Sequence, residues 1–356
     1  MMIPPAITLG IDLRVLAEAP DSSAQMAHTQ VGDYRDVDSV VAFARDLDVV
    51  TFDHEHVPQH VLDAVVALGV PVRPGPHALV AAQDKTVMRT KLSALSMPMP
   101  KWAVVSDAAE VGAFMARVGT PTIIAKTPMG GYDGKGVRVI AGAEDISLWL
   151  EKGPVLLEEK VDFVAEVAQL VARRPSGDSR GWPLVETRQK NGVCAEVIAP
   201  AGGDPRLAEQ ALDIASRVAK ELDVTGVLAV EMFVRASGEL VINELAMRPH
   251  NSGHIFTELS HTSQFEQHLR AVLDLPLGST ALRAPHGVMV NIFGGVNASE
   301  LAGVLGLDPH LKVHDYGKSY RPGRKAGHVS VVGDTVESLL AMAQGAVAQV
   351  AIDGLA

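Results

Sequence analysis

The stretch Thr122–Ile140 reads TIIAKTPMGGYDGKGVRVI. Thr122–Ala125 is an apolar, β-branched run, which predicts a buried strand that delivers Lys126 at its end. A loop follows with Gly130, Gly131, Gly134 and Gly136, and Val137–Ile140 predicts the returning strand. A lysine at a strand end beside a glycine-rich lid can hold and cover phosphate oxygens. This is not a P-loop, because a valine and a strand, not a helix, follow Gly136. Taken alone, a plain glycine hairpin fits the loop as well.

Downstream, Val155–Lys160 (VLLEEK) predicts a strand ending in Glu158 and Glu159, where backbone groups and a carboxylate could read a nucleotide's base and ribose. Glu166 falls on the next strand. Gly226–Val234 (GVLAVEMFV) and Gly238–Ala246 (GELVINELA) flank a turn at Arg235-Ala236-Ser237. If Arg235 pairs with Gly238, Ala229 lies opposite Glu244, and Glu231 lies one diagonal step away, roughly 7–8 Å at Cα. Two carboxylates that close repel unless a cation sits between them. Hard oxygen ligands suit Mg²⁺ shared with substrate phosphates. Solvated acids on an exposed sheet face are the plainer alternative. Strict alternation puts Asn243 on the other face, unless the strand ends there and turns it back. The hairpin runs into Asn243–His254, NELAMRPHNSGH, which gathers acid, arginine, histidine, amide and hydroxyl groups behind a strand. That density marks a site more often than a polar turn.

Lysine, glycine lid, strand-end carboxylates and paired hairpin acids, in that order, resemble the ATP-grasp superfamily. More closely, the chain resembles the N5-carboxyaminoimidazole ribonucleotide synthase family. The residues that carry the likeness are HEHV (54–57), GGYDGKG (130–136), NELA, Arg248 and HNSGH within 243–254, and YGKSYRPGRKAGH (316–328). The sister formate-dependent glycinamide ribonucleotide transformylases share the ATP parts but carry an acid and a threonine where Asn251 and Ser252 stand here.

The resemblance implies an α/β (α+β) ATP-grasp fold and ATP-dependent carboxylation of 5-aminoimidazole ribonucleotide by bicarbonate, through carboxyphosphate, in purine biosynthesis. It implies Mg²⁺, with Mn²⁺ as an alternative, a homodimer and a cytoplasmic location. By the same likeness, Lys85 and Lys126 meet ATP phosphates under the lid glycines Gly131 and Gly134. Glu158, Glu159, Val161 and Glu166 hold adenine and ribose. Glu231 and Glu244 ligate the metal, with Asn243 nearby. Tyr132, Asp133 and Lys135 face bicarbonate and the aminoimidazole, and Arg248, His250, Asn251 and Ser252 line that pocket. Glu55 contacts the aminoimidazole ribonucleotide, and Lys318 and Arg324 bind its 5′-phosphate. Asp133 and His250 are the candidates for taking the amine proton. Another ATP-grasp ligase with a different acceptor, or an inactive nucleotide-binding relative, is the competing reading.

The family begins with an apolar strand and a GGGQLGRM-like loop. Met1–Pro5 reads as the tail of that motif and Leu13–Ala17 as the second strand. A first strand is therefore expected to be missing, with the natural start further upstream.

Lys318, Arg321, Arg324, Lys325 and His328 form a basic cluster, but the formal charge of −11 argues against nucleic acid and for a local phosphate pocket. His54 and His56 share a strand face and could begin a zinc site, yet two ligands are too few. A single cysteine, Cys194, excludes an internal disulfide. No apolar run is long enough to span a membrane. Residues 1–94 alternate strand and helix, with strands expected at 13–17 and 48–52 and helices at 37–47 and 60–68. Residues 95–162 are expected to form the lid subdomain, and 163–356 the antiparallel core and substrate region. In that core Asp204-Pro205 caps a helix whose stripe Leu207, Ala211, Ile214, Ala215, Val218 and Leu222 reads as packing. A strand at 288–293 and a closing helix at 336–352 complete the expectation.

Overall fold

The computed structural model describes all residues except 21, 132–135 and 354–356. Lys126 ends the strand Ile123–Lys126, and the chain returns as Val137–Ile140. These strands belong to a four-stranded antiparallel sheet in the order Trp102–Val105, Val155–Glu159, Ile123–Lys126, Val137–Ile140. Its core face carries Ile123, Ala125, Ile140, Val155 and Leu157, closed by Val111 and Phe114 of the helix Ala108–Val118. Asp107 caps that helix by accepting from the Glu110 N–H, and Gly119 ends it in the left-handed region, at φ 76°.

The second sheet has nine strands, with Leu240–Ala246 at one edge and Lys312–Asp315 at the other. Leu228, Val230 and Met232 of Gly226–Val234 point into one core, and Val227 and Ala229 into the other, as alternation requires. The helix Pro205–Glu221 covers the first of these faces. Its expected stripe is the buried one, with Ala211, Ile214, Ala215 and Val218 inside. Asp204 caps it through the Arg206 N–H. The helix Val336–Val350 packs on His286–Phe293 and Lys325–Gly333.

Residues 1–94 hold two parallel fragments. Arg14–Ala17 pairs with His28–Val31, and the expected strand at 48–52 is reduced to a single bridge between Val50 and Val72. Pro71 and Pro74 flank that bridge, and neither can donate to a ladder. Helices Val37–Ala44 and Gln59–Ala67 bury Val40, Ala44, Val61, Leu62 and Val65 against the main core. His268 ties this part to the large sheet. Its Nδ1 accepts from the Val227 N–H at 3.1 Å, so its proton sits on Nε2, 2.7 Å from Thr51 Oγ1.

Candidate active site

A cleft of about 1540 Å³ opens between the two sheets. Lys85 and Lys126 line one end. Asp84 caps the helix Lys85–Ala94 by accepting from the Thr86 and Val87 N–H groups, which fixes Lys85 at its first turn. Lys85 Nζ lies 3.3 Å from the Gly131 carbonyl and 3.4 Å from Glu244 Oε1. Lys126 Nζ lies 2.8 Å from Glu158 Oε2 and 3.2 Å from Asn243 Oδ1. Both lysines are buried, so each ammonium is directed by what surrounds it. The lid closes on itself through the Thr127 N–H, which donates to the Gly136 carbonyl at 2.9 Å. Gly136 has φ 72°, and a Cβ there would meet Thr127 Oγ1 at 2.4 Å, so the turn needs glycine.

The hairpin register differs from the expectation, and the difference builds the acid pair. Arg235 pairs with Glu239, not Gly238, around a three-residue loop whose Gly238 has φ 84°. A bulge between Glu231 and Met232 then inserts Asn243. The two shifts restore the face of Glu244 and move it from the diagonal to directly opposite Glu231. Opposed residues on antiparallel strands stand about 4.5–5.5 Å apart at Cα. The same bulge releases Asn243 from strict alternation and lets its amide reach Lys126.

Arg248, His250 and Asn251, further along the NELAMRPHNSGH stretch, line the other end of the cleft. His250 Nε2 lies 3.1 Å from Glu231 Oε1, and His250 Nδ1 lies 2.8 Å from Ser252 Oγ. Burial pushes the Glu231 carboxyl up, but the hydrogen bond and charge of His250, with Lys325 and Arg248 behind it, hold it below the ordinary range. Arg248 Nε lies 2.7 Å from Glu55 Oε2, while Glu55 Oε1 is buried with no hydrogen-bond partner among the described residues. Asn251 and Asn291 exchange amide hydrogen bonds at 3.0 and 2.8 Å. Glu166 also lines the cleft. Burial raises its carboxyl, against a hydrogen bond from Gln189 and with help from the nearby Glu231 charge.

Most of the residues singled out in the sequence meet in this one cleft, with some changes. Glu158 does not offer a free carboxylate to a ribose: Oε1 lies 2.6 Å from Arg89 Nε, and Oε2 bonds Lys126. Burial pushes its carboxyl up, but the Lys126 and Arg89 charges win and hold it at about 2. Glu159 is likewise engaged by Arg235 and by the Lys101 N–H. Ser252 is buried, is not among the lining residues, and bonds His250, which is. Lys318 and Arg324 are not among the lining residues. Lys318 Nζ donates to the Lys325 carbonyl at 3.3 Å and sits 5.1 Å over the Tyr316 ring, while Arg324 reaches the Ser319 carbonyl. Of the basic cluster expected to form a local phosphate pocket, Lys325 is the member that lines the cleft. Tyr132, Asp133, Gly134 and Lys135 lie outside the described residues. His54 and His56 stack at 5.3 Å on the cleft wall, and no group of three metal-binding side chains occurs among the described residues.

Comparison with known proteins gives this geometry a family. Residues 90–265 match the ATP-grasp domain, residues 1–83 the ribonucleotide synthetase preATP-grasp domain, and residues 287–342 the phosphoribosylaminoimidazole carboxylase C-terminal domain. The N5-carboxyaminoimidazole ribonucleotide synthase of Mycobacterium bovis is 46% identical over 353 residues, covering 95% of this chain and 82% of its own. The crystal structure of the synthetase from Thermus thermophilus superposes with a TM-score of 0.89 at 34% identity, over 99% of this chain and 95% of that one. The Aspergillus clavatus synthase in complex with ADP and 5-aminoimidazole ribonucleotide does so with 0.86 at 27% identity, over 98% and 94%. By its matched domains and by its identity to the Mycobacterium bovis relative, the chain belongs to the N5-carboxyaminoimidazole ribonucleotide synthase family.

Proposed function

We propose that the cleft joins bicarbonate to the amine of 5-aminoimidazole ribonucleotide at the expense of ATP, and that its two ends divide the work. The chain is an ATP-dependent carbon–nitrogen ligase of purine biosynthesis, as its family is. The observation that carries the division is the hairpin: Glu231 faces Glu244 beside Lys85 and Lys126, with Arg248 and His250 at the far side of Glu231.

At the first end, Lys85 and Lys126 neutralise phosphate oxygens, and Glu166, which lines the cleft and accepts from Gln189, takes the ribose. Adenine then lies along Glu159–Val161. Glu231 and Glu244 fit Mg²⁺, or Mn²⁺ in its place. They offer two hard oxygen donors, and no group of three such side chains occurs among the described residues, the arrangement of a cation held partly by substrate phosphates. When bound, the cation screens the phosphate charge during transfer. At the second end, the Arg248 guanidinium and His250 hold bicarbonate. A bicarbonate oxygen attacks the γ-phosphorus, the bond to ADP breaks, and carboxyphosphate forms. The substrate amine takes the carboxyl carbon, by direct attack or after CO₂ release. Phosphate leaves with one bicarbonate oxygen, and the amine proton passes to His250 or Asp133. Enclosure beneath the lid keeps water from the intermediate. Glu55, whose Oε1 has no partner among the described residues, accepts from the aminoimidazole. Lys325 joins Lys318 and Arg324 in the reading of the 5′-phosphate side.

We keep the division at residues 94 and 162, the homodimer and the cytoplasmic location as parts of this reading. They rest on family likeness, and light scattering checks the dimer. No helix among the described residues is long and apolar enough to cross a membrane. The chemical test is ¹⁸O-bicarbonate. One labelled oxygen in each phosphate released supports carboxyphosphate, and unlabelled phosphate means that water, not bicarbonate, attacks ATP.

A further inference from the structure

Arg89 has no exposed surface, yet it is a cation in the helix Lys85–Ala94, and it stands behind the cleft wall, not among the lining residues. Its guanidinium reaches two other parts of the chain. Nε donates to Glu158 Oε1 at 2.6 Å, Nη1 to the Ile242 carbonyl at 3.0 Å, and Nη2 to the Asn243 carbonyl at 2.8 Å. Leu240–Ala246 is an edge strand, so its outward carbonyls have no ladder partner. In a regular strand, consecutive carbonyls point to opposite edges. One planar fork receives those of Ile242 and Asn243 together, an arrangement that the bulge at Asn243 makes available. The bulge in turn sets Glu244 opposite Glu231 and frees Asn243 for Lys126. The same guanidinium holds one oxygen of Glu158 while the other oxygen holds Lys126.

We infer that Arg89 is a positioning residue of the nucleotide site, which locks the bulge and, through Glu158, the Lys126 ammonium into one geometry. It rests on the nucleotide reading of the cleft given above. Three groups in fixed directions need a rigid fork; lysine keeps the charge but is a point donor on a flexible stem. Among the described residues, the Arg89 guanidinium bonds go to Glu158 and to the Ile242 and Asn243 carbonyls, all on the nucleotide side, so its loss acts on ATP first.

The test uses the full chain with Arg89→Lys and Arg89→Met. Mg-ADP binding, KM for ATP, KM for 5-aminoimidazole ribonucleotide and kcat are measured beside thermal unfolding. The expected result is a rise in ATP KM and ADP Kd of roughly 10- to 100-fold in both variants, the scale seen when groups that orient a site are removed. KM for the ribonucleotide stays within about twofold, because its contacts are elsewhere. Should Arg89→Met not fold, the double variant Arg89→Met/Glu158→Gln removes the stranded buried charge. Its ATP-selective loss must exceed that of Glu158→Gln alone, since Arg89 also holds the bulge. Variants that bind ATP as wild type does, or that lose both substrates equally, overturn the inference alone. Wild type that binds no Mg-nucleotide overturns the nucleotide reading and this inference with it.

Discussion

Glu158→Gln isolates the buried charge on which Lys126 depends. The Glu158 carboxyl is held at about 2 in the folded chain, against an ordinary value of 4.5. That gap of roughly 2.5 pH units, at about 1.4 kcal/mol each, gives the ionised carboxylate about 3 kcal/mol of stabilisation at neutral pH. Breaking one member of a buried ion pair costs about 3–5 kcal/mol by general experience, so the two routes agree. Glutamine keeps the shape, but its amide must turn either its carbonyl or its donor group toward Arg89 and cannot satisfy both cations. Because the folded value is depressed, the stabilisation is complete above the unfolded value and is lost as pH falls from about 4.5 toward 2. By pH 4 about 1 kcal/mol of it is gone. Urea unfolding of wild type and variant at pH 7, 5 and 4 reads this out. The variant is expected to be less stable by about 3 kcal/mol at pH 7, with the gap narrowing by about 1 kcal/mol at pH 4. Equal stability at pH 7, or a gap that does not move with pH, refutes the reasoning.

Glu231→Gln and Glu244→Gln are each expected to lower kcat by about 100-fold or more and to raise the Mg²⁺ concentration needed for half-maximal rate, read by titrating Mg²⁺ at fixed ATP. Unchanged Mg²⁺ dependence would move the cation elsewhere. Arg248→Lys loses the fork that meets Glu55 and is expected to raise KM for bicarbonate roughly tenfold with ATP binding unchanged, measured by ADP release and by nucleotide titration. His268 is held neutral by burial, down to about 4. A depressed histidine makes protonation favour the unfolded chain, so stability falls as pH drops from about 6.5 toward 4, by about 2 kcal/mol at pH 5. His268→Gln is expected to flatten that slope in urea unfolding, and an unchanged slope excludes His268 as its source.

The parts of this molecule that are local in sequence were legible. A β-branched run, a glycine loop and a second run announced the strands around Lys126. A cap followed by a 3.6-residue stripe announced the helix Pro205–Glu221. The acid pair was visible as chemistry but misplaced by one pair, because loop length and a bulge set the register and neither leaves a mark in the hydrophobic pattern. The strand expected at 48–52 shrank to one bridge beside two prolines. Glu158 and Glu159 looked available because their partners, Arg89 and Arg235, lie 69 and 76 residues away. Lys325 was visible only as one of a basic cluster, while the phosphate role went to Lys318 and Arg324; Lys325 opens a strand and Arg324 sits in the preceding turn. Arg89 did leave a signal: Lys85, Met88, Arg89 and Leu92 make one helical stripe, and two cations on a buried face call for anions or carbonyls opposite.

The most direct measurement is ADP release by this chain with Mg-ATP and bicarbonate, with and without 5-aminoimidazole ribonucleotide, alongside a chain extended upstream. The account predicts release that the ribonucleotide stimulates, with one carbamate formed for each ADP. ATP that binds but is turned over no faster with the ribonucleotide, in both chains, would contradict it and point to a different acceptor.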